Sequence, residues 1–386
     1  MIPCDDIREF RQRKIVLITI HHIIFDGGSV PIFLQKLFEA YKAYTEGHEP
    51  KIEKVDAIYS DYVKREQSLI EEKGEASLAY WQEKLKQPLP RLNLPLDKPR
   101  SMVKNEAGTW SLRLDMTQVE RLHHFASTHR VYVWNVIFAV YNLLLHRYSG
   151  QSDIVVGMPV NQRNEKAFEK LIGLCINMIP VRSQIHNETS FQSYLDTLQK
   201  DIMDGMACIY PFPLLVRKLN LGYDTLMSPV FQTAFAFQDV LDPLSRSEYG
   251  FVLMDEIHQQ GEYDITLEVV NKSDGVLLNW KYDKSIFEQS TIMRMGEHFI
   301  NILDSVLNDP MKKLFDLSLL SQNEVDLMIN DWNNTNMDYP QTECIHQLFE
   351  RKVISKPKDI AVIDGAISLS YEELNQKSMP LLRILC

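Results

Sequence analysis

With 386 residues, 45% hydrophobic and 24% charged, the chain is long enough for two or three buried cores and too balanced for a disordered tail or a collagen-like rod. Lys+Arg 41 against Asp+Glu 52 leaves a net charge of −11, which excludes a global pull toward nucleic acid or an anionic membrane surface. Cys4, Cys175, Cys208, Cys344 and Cys386 form no Cys-x-x-Cys pair, the apolar runs are shorter than a membrane span, and Asp5 and Asp6 oppose a signal peptide. A soluble cytoplasmic protein without a disulfide framework is expected.

The first element in chain order is Ile15–Ile20, a β-branched run without polar alternation that predicts a strand buried on both faces. It ends at His21-His22. After Asp26-Gly27-Gly28, Ser29 and Pro31 open a helix whose Phe33, Leu34, Leu37, Phe38, Tyr41 and Tyr44 recur at helical spacing. Two helices are predicted over Ile58–Glu72 and Ala76–Lys86, and Pro88, Pro90, Pro95 and Pro99 then impose an extended linker.

Trp110–Leu114 alternates as a strand, Thr117-x-x-Glu120 is a capping box for a helix to His129, and a further helix covers Trp134–Tyr148. Strands at Asp153–Pro159 and Met178–Gln184, helices at Phe191–Met206 and Pro213–Leu219, and strands at Val230–Phe237, Tyr263–Val270 and Val276–Tyr282 follow. Ser285-x-x-Glu288 opens a long helix whose Ile292, Met295, Phe299, Ile302, Leu303 and Val306 make one apolar stripe, stopped by Asn308-Asp309-Pro310. The rest is a helix at Ser321–Trp332, a polar linker at Asn333–Gln341 and a helix-strand-helix start. The expected fold class is α/β, layered as α+β.

Chemistry concentrates at Ile20-His21-His22-Ile23-Ile24-Phe25-Asp26-Gly27. An imidazole can accept a proton near neutral pH, a carboxylate can fix the loop or a neighbouring guanidinium, and a glycine lets a substrate pass close to the backbone. The alternative is a pair of structural histidines beside a turn. His123-His124 lies on an amphipathic helix with no acid and glycine following, and is read as structural. No metal site is expected at His21-His22, because adjacent strand residues point to opposite faces and spacing places no third ligand.

His21, His22, Asp26 and Gly27 match the His-His-x-x-x-Asp-Gly hallmark of nonribosomal peptide synthetase condensation domains, which this chain resembles. Tyr59-Ser60-Asp61-Tyr62-Val63, Ile172–Arg182, Tyr210-Pro211-Phe212 and Ser228-Pro229-Val230-Phe231-Gln232 follow in that family's order. From Leu319-Leu320-Ser321 through Trp332-Asn333-Asn334-Thr335 and His346–Glu350 to Leu369–Asn375, the tail resembles the opening of an adenylation domain.

The resemblance implies a chloramphenicol-acetyltransferase-like two-lobe fold with the first lobe incomplete: residues 1–91 as the end of that lobe, 92–314 as the second lobe, and 315–386 as linker and adenylation start. The implied reaction joins an aminoacyl or peptidyl thioester to the amine of a second aminoacyl thioester. Both ride on 4′-phosphopantetheine arms of upstream and downstream peptidyl carrier domains, and no cofactor, metal, nucleic acid or membrane binds the chain itself. His22 is the implied catalytic residue, with His21, Asp26 and Gly27 completing the motif, Arg182 the candidate ion-pair partner of Asp26, and Asn177 either a tunnel residue or a structural turn amide. Cys175 and Met178 replace the family's usual Phe and Thr, and Gly28 stands where Trp or Val is common. A non-catalytic inter-domain platform, an epimerisation-type domain and a coenzyme A-dependent acyltransferase are the rival readings.

Overall fold

The computed structural model describes residues 16–51, 55–100, 107–220, 227–238, 263–272, 275–338 and 341–385, with side chains through Ser378 in the last helix. The described chain forms two compact units, Met1–Ser321 and Gln322–Cys386.

The first unit is built on a mixed six-stranded sheet. Its strands are β1 (Ala107–Arg113), β2 (Asp153–Asn161), β3 (Ile176–Gln184), β4 (Thr233–Gln238), β5 (Ile265–Lys272) and β6 (Gly275–Asp283). They lie in the order β1-β6-β5-β4-β2-β3. β4 runs parallel to both β2 and β5, and the other three pairings are antiparallel. Apart from Ile15–Ile20, the β-branched and aromatic segments singled out in the sequence supply these strands, as a half-buried pleated surface requires.

Helices α3 (Met116–His129), α4 (Val133–Ser149), α5 (Phe191–Ala207) and α7 (Gln289–Asn308) pack with the sheet, and α4 touches the other three. Every residue of α4 from Asn135 to His146 is buried, as expected of a helix apolar on all sides. Ring contacts tie it down: Phe138 to Phe235 at 4.8 Å, Tyr141 to Trp280 at 5.8 Å, and Trp280 onward to Phe299 of α7 at 5.8 Å. The six predicted stripe residues of α7 are all buried. Helices α1 (Ser29–Thr45), α2 (Tyr59–Lys84) and α6 (Phe212–Lys218) also belong to the unit, with Trp81 and Leu85 joining the main core.

Four local expectations change. Residues 16–20 form no strand, and Val16, Leu17 and Ile18 are exposed; a strand needs a neighbour for its backbone groups, and none among the described residues pairs with them. The two helices predicted over Ile58–Lys86 are one, α2, which runs through a buried Gly74. Asp115, not Thr117, caps α3: its carboxylate accepts from Gln118 N at 2.7 Å while Gln118 Oε1 accepts from Asp115 N at 3.2 Å. The start of α7 is capped from a distance, because Asp97 in the Pro-rich segment accepts from Glu288 N at 2.8 Å and Thr291 Oγ1 at 2.9 Å. Local spacing cannot reveal such a cap.

The second unit comprises α8 (Gln322–Asp326) continuing into one wide turn at Leu327–Asp331, then α9 (Ile345–Ser355), the hairpin β7 (Ile360–Asp364) and β8 (Ile367–Ser370), and α10 (Tyr371–Leu385). Two strands thus stand where one was expected. Gly365 at φ +59° makes the turn between them possible. Glu373 caps α10, accepting from Ser370 N at 2.8 Å. Among the described residues no helix is long and apolar enough to cross a membrane.

Candidate active site

The His-His segment is a single turn. His22–Ile24 forms a 3-10 turn, with Ile24 N donating to His21 O and Phe25 N to His22 O, each at 3.2 Å. The two imidazoles differ in employment. His21 Nδ1 accepts from Ile23 N at 3.1 Å, so the ring is used to cap the turn. His22 is exposed, and among the described residues no hydrogen bond or ion pair occupies its imidazole.

Asp26 sets the turn. Its carboxylate is buried, accepting from Ser29 N at 2.9 Å and Ser29 Oγ at 2.8 Å on its own side. From the far side it accepts Arg163 Nη2 at 2.7 Å, Arg163 Nη1 at 2.9 Å and Cys175 N at 2.7 Å. Burial alone would raise its pKa, but the Arg163 bonds, the Cys175 N–H and Ser29 outweigh that and hold it below its ordinary value. Burial pushes the Cys175 thiol up to about 11, so no second charge develops beside Asp26.

Arg163 is equally committed. Beyond Asp26 it donates to Leu171 O at 3.0 Å, Gly173 O at 3.1 Å and Ser29 Oγ at 2.9 Å. Ser29 Oγ in turn accepts from Gly173 N at 3.0 Å. The loop after β2, the start of α1 and residues 171–175 are therefore one knot around a buried ion pair. Such a pair keeps its charge in a dry site only because nearly every lone pair and N–H is used.

The Tyr59-Ser60-Asp61-Tyr62 block seals the knot. Tyr59 OH donates to Leu174 O at 3.0 Å, Tyr62 stacks on Tyr59 with ring centroids at 5.8 Å and meets Phe168 edge-on at 5.7 Å. Gly173 admits the Tyr59 ring, since a Cβ there would stand 2.4 Å from its Cδ2. Asp61 accepts from Ile58 N at 3.2 Å and caps α2.

One expectation is corrected, and one pair of alternatives is decided. Arg182 is not the partner of Asp26; it pairs with Asp153, donating Nη2 to Oδ2 at 2.6 Å, and with Lys86 O at 2.8 Å. The reason is register: Arg182 faces Val155 across the β2–β3 ladder, which brings it beside the start of β2, whereas Arg163 leaves β2 at the opposite end, where the signature loop lies. Asn177 is a structural clamp, accepting from Phe212 N at 2.9 Å and donating to Tyr210 O at 2.9 Å, so its amide holds the Tyr210-Pro211-Phe212 bend. Sequence reasoning missed Arg163, held Gly173 only as a member of the Ile172–Arg182 block without a role, and read Ser29 only as a helix cap. The available signal was an Arg four residues past the predicted strand Asp153–Pro159.

Gly27 is exposed, and among the described residues a Cβ added there would meet only Gln238 Nε2, at 3.9 Å. Among the described residues nothing else crowds Gly27. His123 and His124 sit on the exposed side of α3, away from any such arrangement.

The condensation domain family model matches residues 7–329. The chain is 36% identical over 379 residues to polyketide synthase PksN of Bacillus subtilis, covering 95% of this chain and 7% of that protein. It is 32% identical over 380 residues to a linear gramicidin synthase of Brevibacillus parabrevis, covering 96% of this chain and again 7% of the relative. The chain thus spans under a tenth of the length of these two curated relatives. A four-domain nonribosomal peptide synthetase, solved with AMP and glycine bound, superimposes with a TM-score of 0.77 at 19% identity, over 95% of this chain and 29% of that one, and so shares the fold. The family match covers most of the chain with its signature loop: this protein belongs to the condensation domain family.

Proposed function

We propose that the first unit forms an amide bond between two carrier-bound thioesters, with His22 as the catalytic residue. The observation that carries this reading is the buried Asp26–Arg163 pair, which fixes the loop that holds His22 and Gly27, both exposed; among the described residues no hydrogen bond or ion pair occupies the His22 imidazole.

An α-amine has a pKa of about 7.7–8.0, so a large fraction of the acceptor is already a nucleophile near neutral pH. His22 orients that amine toward the thioester carbon and takes its proton as the tetrahedral intermediate forms. Collapse makes the C–N bond complete, breaks the C–S bond and releases the donor arm as a thiol once protonated. Asp26 touches no substrate; it is a positioning residue.

The partners are upstream and downstream peptidyl carrier domains bearing 4′-phosphopantetheine, in a cytoplasmic setting. The second unit reads as the opening of an adenylation domain. Supporting this, the family model ends at residue 329 while the alignment with the linear gramicidin synthase extends over 96% of the chain.

Incubating the chain with loaded donor and acceptor carrier proteins tests the reaction. Peptide product from the intact chain, reduced about 10²-fold or more in His22→Ala at unchanged thermal stability, is expected. No product from the intact chain, or equal product from the variant, overturns the assignment.

A further inference from the structure

Gln238 ends β4, and among the described residues its Nε2 is the one heavy atom within 4 Å of the point where a Gly27 Cβ would lie, adjacent residues aside. That amide is anchored. Nε2 donates to Glu268 Oε1 at 2.8 Å, and the same oxygen accepts from Lys281 Nζ at 2.8 Å, while Glu268 Oε2 accepts from Asn279 Nδ2 at 3.1 Å. Asn279 Oδ1 is taken by Ser111 Oγ at 2.8 Å.

These groups share one face of the sheet. Glu268 lies opposite Ala236 of β4 and Asn279 of β6, Ser111 opposite Asn279, and Gln238 and Lys281 are diagonal neighbours of Glu268. The Glu268 side chain is only 12% exposed. A carboxylate accepts and never donates, so the Gln238 amide cannot turn its carbonyl to Glu268 without losing a charge-assisted bond. Its second Nε2–H is consequently the group it has left to offer near Gly27, as an uncharged donor.

We propose that Gln238 binds the carbonyl oxygen of the acyl thioester passing Gly27, and that Glu268 is the positioning residue that fixes the direction of this donor. The assignment rests on the condensation reading, and it gives the second lobe a direct part in holding substrate. An uncharged donor suits a thioester carbonyl, whose oxygen bears only partial charge. Lys281 supplies the compensating charge for Glu268 and leaves the amide neutral.

The test is a titration of the whole chain with S-acetyl-pantetheine and with S-ethyl-pantetheine, the thioether that lacks the thioester carbonyl but keeps both amides. The thioester should bind about 5–10-fold more tightly, the worth of one hydrogen bond. Gln238→Leu should abolish this preference by weakening the thioester alone, and Glu268→Gln, which frees the amide to turn, should reduce it. Gln238→Asn, a shorter amide, should restore part of it, and Arg182→Met, at the other end of the β2–β3 ladder, should leave it intact. The Gln238 side-chain amide resonance in the unmodified protein, expected to shift with the thioester and not the thioether, covers the case of a variant that fails to fold. Equal affinity for the two probes, no binding of either, or an unmoved resonance overturns the proposal. Loss of peptide formation in the carrier assay, with the thioester preference retained, would instead count against the catalytic reading alone.

Discussion

Arg163 Nη2 stands 2.7 Å from Asp26 Oδ1, and the two side chains are 3% and 0% exposed. A charge pair so enclosed joins residues 137 positions apart and leaves either partner stranded if the other is removed.

Asp26→Leu and Arg163→Met should each lower stability by about 3–5 kcal/mol, because each leaves one uncompensated buried charge. The double variant should cost clearly less than the sum. Urea denaturation of the four proteins completes the cycle, and strict additivity would show that the pair is not coupled.

Acid should loosen the same knot. The folded-state pKa of Asp26 lies below its ordinary value, so the unfolded chain binds the proton more readily. Its contribution is therefore complete above the unfolded value of about 3.9 and is lost as pH falls through the lower folded value. Denaturation midpoints followed from pH 6 down to pH 3 should fall more steeply for the natural protein than for Asp26→Asn; parallel curves would contradict this.

Gly173→Ala should destabilise by about 1–3 kcal/mol through overpacking, since the new methyl would sit 2.4 Å from Tyr59 Cδ2. Combining it with Tyr59→Leu, which removes the flat ring, should recover part of the loss in thermal melts. No recovery would place the strain elsewhere.

Cysteine labelling gives a quick check of the site's interior. Cys175 is fully buried with a thiol pushed up to about 11, while Cys344 is exposed. Iodoacetamide at pH 8 should modify Cys344 within minutes and leave Cys175 untouched until denaturant is added, as peptide mass mapping would reveal. Early labelling of Cys175 would mean that the knot opens readily.

Arg182→Met separates the two arginines. Its pairing with Asp153 is partly exposed, so stability should fall by only on the order of 1 kcal/mol and peptide formation should persist. A loss of activity comparable to that of Arg163→Met would reassign the roles.

The sequence by itself determined the elements whose signal is local and periodic. The stripe on α7, the strands of the six-stranded sheet and the turn at Asp26-Gly27 are legible, because a helical or strand period reports which face is buried, whereas the β-branched run before His21 misleads. It also placed His22 through a motif contiguous in the chain. It could not decide between Arg163 and Arg182 as the partner of Asp26, since one lies just past a strand and the other within a strand of the same antiparallel pair, and only register tells which end of the ladder each reaches. Asp97 capping α7 and the Gln238–Glu268 tie beside Gly27 were equally invisible. Each joins residues far apart in sequence, and such contacts arise only once the sheet has fixed which strands are neighbours.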